Sequence, residues 1–540
     1  MTNRPHTTPS LASEGVFISL PFLYIHVVLK LVHTSWRDMQ APNNEIPKHM
    51  PHIPASVIEK QPLIPGLNLI HRGKVRDSYG LPGHQDKMLV VASDRCSIFD
   101  FVLPTLIPLK GQILTALNHF WTNQVLPGIC QTDFIAAGSR IDEFLPEALW
   151  NNPELQKRAA VVRIVPSPDI EDIVRLYLTG NGWKSYKENG MAFEYPLPKG
   201  LFDGNKLPYP LYTPTTKAVV GHDKSIPADT VAKRDGARRE RLSLQVAGAI
   251  SAHAAKCGII LADSKFEFSV DTFRSGEIIL ADEKGTPDSS RFWDAKAWAK
   301  AQAKGKLPPS FDKQHVREWG KSVGVTDGLD PENPTDLAFV DGLEVWPSVI
   351  DMTTRIYRYI SWRLTDMQIE RYQSQKLGIN VEAPKRRIEI VVGSESDLPQ
   401  VHEGMVLLGG VSSANISVIS CHRNPTELRK FVKDVLTKAD IVIAGAGMAA
   451  ALPGIVKSEL CLLDHPEIPV IGVAFEGATE KDNLAAQLSI ECLPGSPVEL
   501  DENDKAYFGH EGFLGACRAA VHHEFLPKMI EAKPAKIGTK

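Results

Sequence analysis

A chain of 540 residues, 43% apolar and 23% charged, is too long for one ordinary hydrophobic core and too apolar to be disordered, so two or three folded domains are expected. Its net charge of −4 gives no reason to expect nucleic acid or an anionic membrane as the main partner. Seven cysteines with no CxxC pair argue against a disulfide framework or a structural zinc site and point to a reducing compartment, read as the cytoplasm.

The first predicted element is apolar. Val16 to Val32 is interrupted by Pro21, His26 and Lys30, is at the short limit for a spanning helix, and lacks the basic start and cleavage site of a signal peptide. Residues 1–53 are read as a dispensable extension, or as the result of a start codon placed too early with Met39 or Met50 as alternatives; a weak membrane anchor is the other reading.

From 54 to 366 the chain mixes strand-like runs, proline-rich turns and long polar loops. Arg72-Gly73-Lys74-Val75-Arg76-Asp77-Ser78-Tyr79 lies between two strand-like runs. A glycine beside a lysine can close over a triphosphate, although this is not a Walker loop, and an exposed basic turn has the same composition. Ser93 to Asp100, which contains Arg95 and Ser97, ends the strand Met88–Ala92. Arg175 to Lys184, with Thr179 inside it, follows a β-rich run, and Tyr212 to Ala218 is a hydroxyl-rich loop ending near Lys217. Each is compatible with a capped turn; together they pair Arg or Lys with Ser, Thr and Asp, which suits several anionic groups held at once.

Two adjacent acidic runs carry the most information, Ile259–Phe268 and Glu277–Glu283. Strand alternation puts Asp263, Lys265 and Glu267 on one face, and a hairpin through Gly276 lays Asp282 and Glu283 beside it. Unpaired charge is costly to bury, so this face suits a metal ion and phosphates; a solvated, salt-bridged strand face is the alternative. Thr286-Pro287-Asp288-Ser289-Ser290-Arg291 follows at once.

In this order the motifs resemble the SAICAR synthetase (phosphoribosylaminoimidazole-succinocarboxamide synthase) family from about Leu69 to Asp366, including Phe311-Asp312-Lys313-Gln314 and a terminal helix Pro347–Leu364. The resemblance implies an α+β, ATP-grasp-like fold with ATP between two lobes. It implies that ATP phosphorylates the carboxylate of carboxyaminoimidazole ribonucleotide and that the amine of L-aspartate then displaces phosphate, with Mg2+ bridging the phosphates. By likeness Gly73, Lys74, Arg76 and Lys265 are nucleotide residues, with Lys74 and Lys265 catalytic, and Glu267 and Asp282 are nucleotide and metal residues. Arg95, Ser97 and Asp100 are expected at the ribonucleotide, Arg175, Thr179 and Lys217 at anions, and Asp288, Ser289 and Arg291 in a substrate loop. The chain departs from the family pattern at Asn181, at Arg175-Leu176, and at Lys217-Ala218-Val219 and His222-Asp223-Lys224, where two carboxylates are missing; that loss bears on aspartate or metal handling. A ligase using another amine would share the same ATP chemistry.

Met367 to Arg387 is polar, carries Gly378 and Pro384, and reads as a helix tail plus linker. From Ile388 the pattern changes to short apolar runs, Ile388–Val392, Ile416–Ser420, Ile441–Ala444 and Val470–Phe475, with helix-compatible stretches such as Thr426–Leu436 between most of them. That alternation predicts an α/β domain with a parallel sheet. Gly393-Ser394-Glu395-Ser396-Asp397, Ser420-Cys421-His422-Arg423-Asn424-Pro425 and the glycine-rich Ala444–Gly454 all follow strands, so a parallel sheet brings them to one edge.

With the later run Gln487–Val498, these motifs resemble the phosphoribosylaminoimidazole carboxylase family over roughly Lys385 to Phe525. The resemblance implies a flavodoxin-like three-layer domain and a homo-oligomer, normally an octamer. It implies that Gly393, Ser394, Ser396 and Asp397 hold the ribose phosphate, that Ser420, Arg423, Gly445 and Gly447 bind substrate, and that His422 moves the proton as carbon dioxide shifts on the imidazole. Ala450-Ala451 stands where the bacterial pattern has Ala-His, and Cys421 where it has Ala. A carboxylase, a carboxylate-shifting mutase and an inactive oligomerisation module therefore stay open. The expected whole is a bifunctional enzyme of purine synthesis, 54–366 followed by 388–530 with a tail at 531–540. It acts on aminoimidazole ribonucleotides, L-aspartate and carbon dioxide or bicarbonate, with no nucleic-acid or membrane partner.

Overall fold

The computed structural model describes residues 51–217, 224–271 and 276–530. Most of the N-terminal extension, Ala218, Val219, His222 and Asp223, and the tail 531–540 lie outside the described residues. Two antiparallel sheets form the first part. Strand Arg76–Leu81 buries every second residue, Asp77, Tyr79 and Leu81, as a half-buried strand must. It is the second strand (β2) of a sheet with β1 (Asn68–Arg72) and β3 (His84–Ala92). A hairpin of β4 (Arg95–Ile98) and β5 (Phe101–Leu106) interrupts the sheet, which β6 (Phe134–Ala137) and β7 (Ala159–Arg163) complete in the order β1-β2-β3-β7-β6. The hairpin turns on Phe99 and Asp100, both left-handed at φ 47° and 69°, a twist that two-residue hairpins require and non-glycine residues rarely adopt.

The second sheet holds β8 (Ile170–Tyr177), a small pair β9 (Met191–Ala192) and β10 (Tyr195–Pro196) standing beside it, β11 (Lys206–Tyr212), β12 (Thr215–Thr216), β13 (Ile259–Val270), β14 (Ile278–Ala281) and β15 (Ser290–Asp294). Its order is β11-β8-β13-β14, with β12 on β8 and β15 on β13. The helix Arg238–Lys256 lays Leu242, Val246, Ile250 and Ala254 against it, an apolar stripe at helical spacing. Behind β8, Asp172 is fully buried and accepts Arg239 Nε at 2.8 and 3.0 Å and the Tyr212 hydroxyl at 2.6 Å, which locks this helix to the sheet. The helices Lys110–Phe120 and Pro347–Thr365 close the same core around Leu117, Trp121, Phe266, Phe292 and Ile360. This is the α+β class expected from the sequence.

The stretch expected as a helix tail and linker packs: the short helix Ile369–Gln375 and the turn after it bury Ile369, Tyr372, Leu377 and Ile379 in the first core. Beyond it lie β16 (Arg387–Val392), β17 (Ser413–Val418), β18 (Ile441–Ala446), β19 (Val470–Ala474) and β20 (Tyr507–Phe508), all parallel, in the order β17-β16-β18-β19-β20. Alternate residues face opposite layers. Val391, Val442 and Ala444 meet the helices Pro425–Lys438 and Leu452–Leu462, whereas Ile390, Ile443 and Ile471 meet His402–Val411 and Gly509–His522. This is a doubly wound, flavodoxin-like arrangement with helices on both faces. Among the described residues no helix is long and apolar enough to cross a membrane.

Candidate active sites

Strand register builds the first site. Lys265 on β13 pairs with Ile173 on β8, which brings Glu171 of β8 onto the same face. Lys265 Nζ donates to Glu171 Oε1 at 2.5 Å and lies 3.5 Å from Glu267 Oε1, while Lys217 Nζ donates to Glu267 Oε2 at 2.6 Å. From the other sheet, Arg76 on β2 reaches Asp282 and Glu283 just past the end of β14. Four carboxylates and three cations therefore alternate where the two sheets meet. Burial pushes the Glu267 carboxyl up, but Lys217 and Lys265 outweigh it and hold it below the usual range. Burial pulls the Lys265 ammonium down, and Glu171 and Glu267 more than reverse this, holding it above its ordinary value.

Asp263, Lys265 and Glu267 share one face, but Asp263 turns away from the cluster, with Arg175 Nη1 and Arg291 Nη1 each 3.3 Å from its Oδ2. No group of three or more His, Cys, Asp or Glu placed to hold a metal occurs among the described residues. Glu267 and Asp282, expected as metal ligands, each face a cation instead of forming a ready cage.

The 73–76 segment is a tight turn in which the Gly73 amide donates to the Arg76 carbonyl at 2.7 Å. Lys74 Nζ donates to Asp100 Oδ1 at 2.6 Å, so Asp100 meets Lys74 on the strained β4–β5 turn, and Ser97 lies half-buried in β4. Arg95 is completely buried, and its guanidinium donates to Asp77 (2.6 Å), Gln61 (2.8 Å) and the carbonyls of Gly73 and Lys74 (both 3.1 Å). With four of its five N–H donors engaged, it holds the 73–76 turn from behind.

Two arginines converge on one carboxylate, Asp263. Arg175 Nε donates to Thr213 at 2.9 Å, and Arg291, which shares Asp263 with it, stands 4.0 Å from Asp312. A side chain at Gly180 would lie 3.2 Å from Arg291 Nη1, so the glycine leaves that guanidinium open on this side. Thr179 is buried in this wall, beside Asp203. Nearby, Asp288 accepts Lys110 Nζ at 2.6 Å and the Tyr357 hydroxyl. Burial raises the Asp288 carboxyl, but Lys110 and Lys313 overcome this and hold it well below the usual carboxylate range. Ser289 bonds within its own turn to Thr286, 3.4 Å from its amide to the Thr286 hydroxyl, so it secures the loop more than it faces a substrate.

Glu171, Lys110 and Tyr357 were missed by sequence reasoning. An acidic residue in the strand run Ile170–Tyr177 was the available signal; the burial of Lys110 and Tyr357 shows only in the structure.

In the last domain the strand order places β17 to one side of β16 and β18 to the other, so the loops after β16 and β18 flank the switch point where α/β sheets bind ligands. Ser394 Oγ accepts from the Ser396 amide at 3.3 Å and its hydroxyl at 2.9 Å, capping a short 3₁₀ turn. Side chains built at Gly393 and Gly447 would lie 3.7 and 3.8 Å from the Asp397 carboxylate, so these three residues share the crevice. Burial pushes the Asp397 carboxyl up. His422 and Arg423 are exposed on the next turn, where Ser420 Oγ accepts the Arg423 amide at 3.3 Å and Cys421 Sγ lies 3.7 Å from His422 Nδ1. β18 runs on to Ala446, and a Cβ at Gly445 would stand 2.5 Å from the Phe475 ring, so the glycine makes room for that ring.

Comparison with known proteins agrees with this layout. The SAICAR synthetase family model matches residues 69–330 and the AIR carboxylase model matches 387–506. The phosphoribosylaminoimidazole-succinocarboxamide synthase of Thioalkalivibrio sulfidiphilus is 40% identical over 304 residues, covering 55% of this chain and 95% of that protein. The enzyme of the same name from Xanthomonas oryzae pv. oryzae is 38% identical over 341 residues, covering 59% of this chain and all of that protein. Among solved structures, the SAICAR-synthase from Saccharomyces cerevisiae complexed with SAICAR is 31% identical, covers 57% of this chain and 98% of that one, and superposes with a TM-score of 0.48. The chain belongs to the SAICAR synthetase family and carries an AIR carboxylase domain behind its synthetase domain.

Proposed function

We propose that the synthetase domain, 54–366, joins carboxyaminoimidazole ribonucleotide to L-aspartate at the expense of ATP, and that the carboxylase domain, 388–530, makes that ribonucleotide, both in the cytoplasm. The observation that carries the synthetase reading is the alternation of Arg76, Lys217 and Lys265 with Glu171, Glu267, Asp282 and Glu283 between two sheets. A triphosphate draws the cations, and the carboxylates they release are hard oxygen donors that fit Mg2+, which takes one or two carboxylates plus phosphates and needs no all-protein cage. Glu267 and Asp282 would hold it, and bound there it would neutralise phosphate charge. The γ-phosphoryl moves to the imidazole carboxylate; the aspartate amine then forms the C–N bond, loses a proton and expels phosphate, leaving ADP. Lys74 and Lys265 steady the phosphates, and Arg175 and Arg291, which share Asp263, hold an anionic end of a substrate.

The test supplies carboxyaminoimidazole ribonucleotide, ATP and magnesium with a panel of amines. Succinocarboxamide and stoichiometric phosphate with aspartate alone are expected, and equal turnover with another amine would overturn the assignment. In the carboxylase domain we assign proton transfer to His422. His422→Asn is expected to slow conversion of aminoimidazole ribonucleotide about 100-fold, as loss of a positioned acid–base does. Synthetase turnover and assembly should be retained, and unchanged carboxylation would instead favour an assembly module. The solvent-facing Val406, Met448, Leu462 and Leu484, 57–77% exposed, favour burial of this domain in a homo-oligomer, up to the octamer expected from the family.

A further inference from the structure

Tyr357 and Arg358 are neighbours on the helix Pro347–Thr365, yet they grip different domains. Tyr357 is completely buried, and its hydroxyl donates to Oδ1 of Asp288, whose Oδ2 accepts Lys110. Arg358 donates to both oxygens of Glu370 at 2.7 and 3.1 Å, and to both oxygens of Glu524 at 2.9 and 3.4 Å. Glu524 lies just beyond the last helix of the carboxylase domain, Gly509–His522. Arg386 stands 3.3 Å from Glu524 and donates to the carbonyls of Ala520 and His523 at 2.9 and 2.5 Å, which ties Glu524 to that helix.

The segment is seated by more than charge. The His523 ring lies 4.7 Å from the Trp362 ring, and burial holds its imidazole down to about 4, so it stays neutral at physiological pH. Leu526 packs against the core of the synthetase domain. Two arginines and two glutamates balance in this half-buried cluster, and its bidentate geometry resists shear in a way that one flexible contact does not.

We propose that Glu524 of the carboxylase domain is a positioning residue for the synthetase site, acting through Arg358 and Tyr357 on Asp288. A packed helix moves as a unit, so what fixes Arg358 also fixes the hydroxyl that aims the Asp288 carboxylate. Arg363 secures the end of the same helix independently, donating to Asp294 at 3.2 Å and to the Cys257 carbonyl at 2.6 Å. Loss of the Glu524 tie therefore shifts the helix without undocking it. The inference rests on Asp288 belonging to the synthetase site.

The experiment is a double-mutant cycle in the full chain. Glu524→Gln is expected to lower synthetase kcat about threefold to tenfold, with the KM for ATP and the thermal midpoint little changed. Tyr357→Phe alone should lower kcat by at least as much, and the double variant should be no slower than Tyr357→Phe, because both changes cut one linkage. Full turnover in Glu524→Gln, or losses that multiply in the double variant, would overturn the link. Should Glu524→Gln fold poorly, Glu524→Asp, which keeps the charge but loses the reach, is read the same way. Asp288→Asn separates the premise: an active Asp288→Asn enzyme removes the site assignment itself, whereas an inactive one with multiplicative losses in the cycle removes only the coupling.

Discussion

Lys265→Met is expected to lower synthetase kcat/KM about 1,000-fold, the upper range for removing one preorganised charge from a reacting centre. Lys265 is the hub of the cluster, sitting between Glu171 and Glu267. Without it, two carboxylates face each other with only Lys217 paired directly to one of them, and the site repels the triphosphate it should hold. Glu267 should then lose one of the cations that keep its carboxyl low and take up a proton more readily. The pH dependence has a definite sign. The depressed Glu267 carboxyl stabilises the fold above its unfolded value, about 4.3, and that contribution is lost as pH falls through the lower folded value. The raised Lys265 ammonium stabilises the fold below about 10.4 and that contribution is lost only as pH rises through its higher folded value. Both contributions are complete at pH 7, so the variant should lose stability there, and its deficit should narrow in acid, where the unpaired carboxylates protonate. Steady-state kinetics and thermal melts from pH 4 to 8 provide the check. A kcat/KM within about threefold of wild type would remove Lys265 from the reacting centre.

Strand alternation made the acidic face of β13 readable. Asp263, Lys265 and Glu267 share one face because the period of a strand is two, whatever lies around it. The parallel sheet was readable for a similar reason, since short apolar runs separated by helix-compatible stretches have few other solutions. What local sequence does not carry is whether a side chain's hydrogen bonds are already spent. Arg95 sits in a motif suited to a phosphate, but Asp77, Gln61 and two carbonyls take four of its five donors. Gly445 looks like part of a flexible loop, but the ring of Phe475, thirty residues on, occupies the space its side chain would need. The residues missed altogether have partners remote in sequence. Lys110 meets Asp288 178 positions away, Lys265 meets Glu171 across 94, and Tyr357 meets Asp288 across 69. Such pairs exist only after the sheets and the long helix have docked.

Arg239→Met is expected to destabilise the protein by about 3–5 kcal/mol, the cost of leaving one member of a buried pair without its partner. Asp172 has no exposure at all, and Arg239 satisfies it through Nε while its Nη2 donates to the carbonyls of Ile170 and Phe268 at 3.3 and 3.1 Å. Methionine keeps much of the volume but frees the carboxylate and two carbonyls. Burial pushes the Asp172 carboxyl above its usual range even with Arg239 in place, whereas, against burial, Asp172 and its neighbours hold the Arg239 guanidinium above its own, so attraction and desolvation come close to balancing across the pair. The charge itself is therefore not the source of net stability, and the double change Asp172→Leu with Arg239→Met should recover a large part of the loss. Urea unfolding of the two variants decides it: a single change costing under about 1 kcal/mol, or a double change as damaging as the single one, would contradict a buried pair whose charge is close to break-even. The pair lies behind β8, next to Glu171 on the opposite face of the strand. Synthetase turnover measured below the lowered melting point should therefore fall far less than in Lys265→Met, which separates residues that build the site's floor from those that act above it.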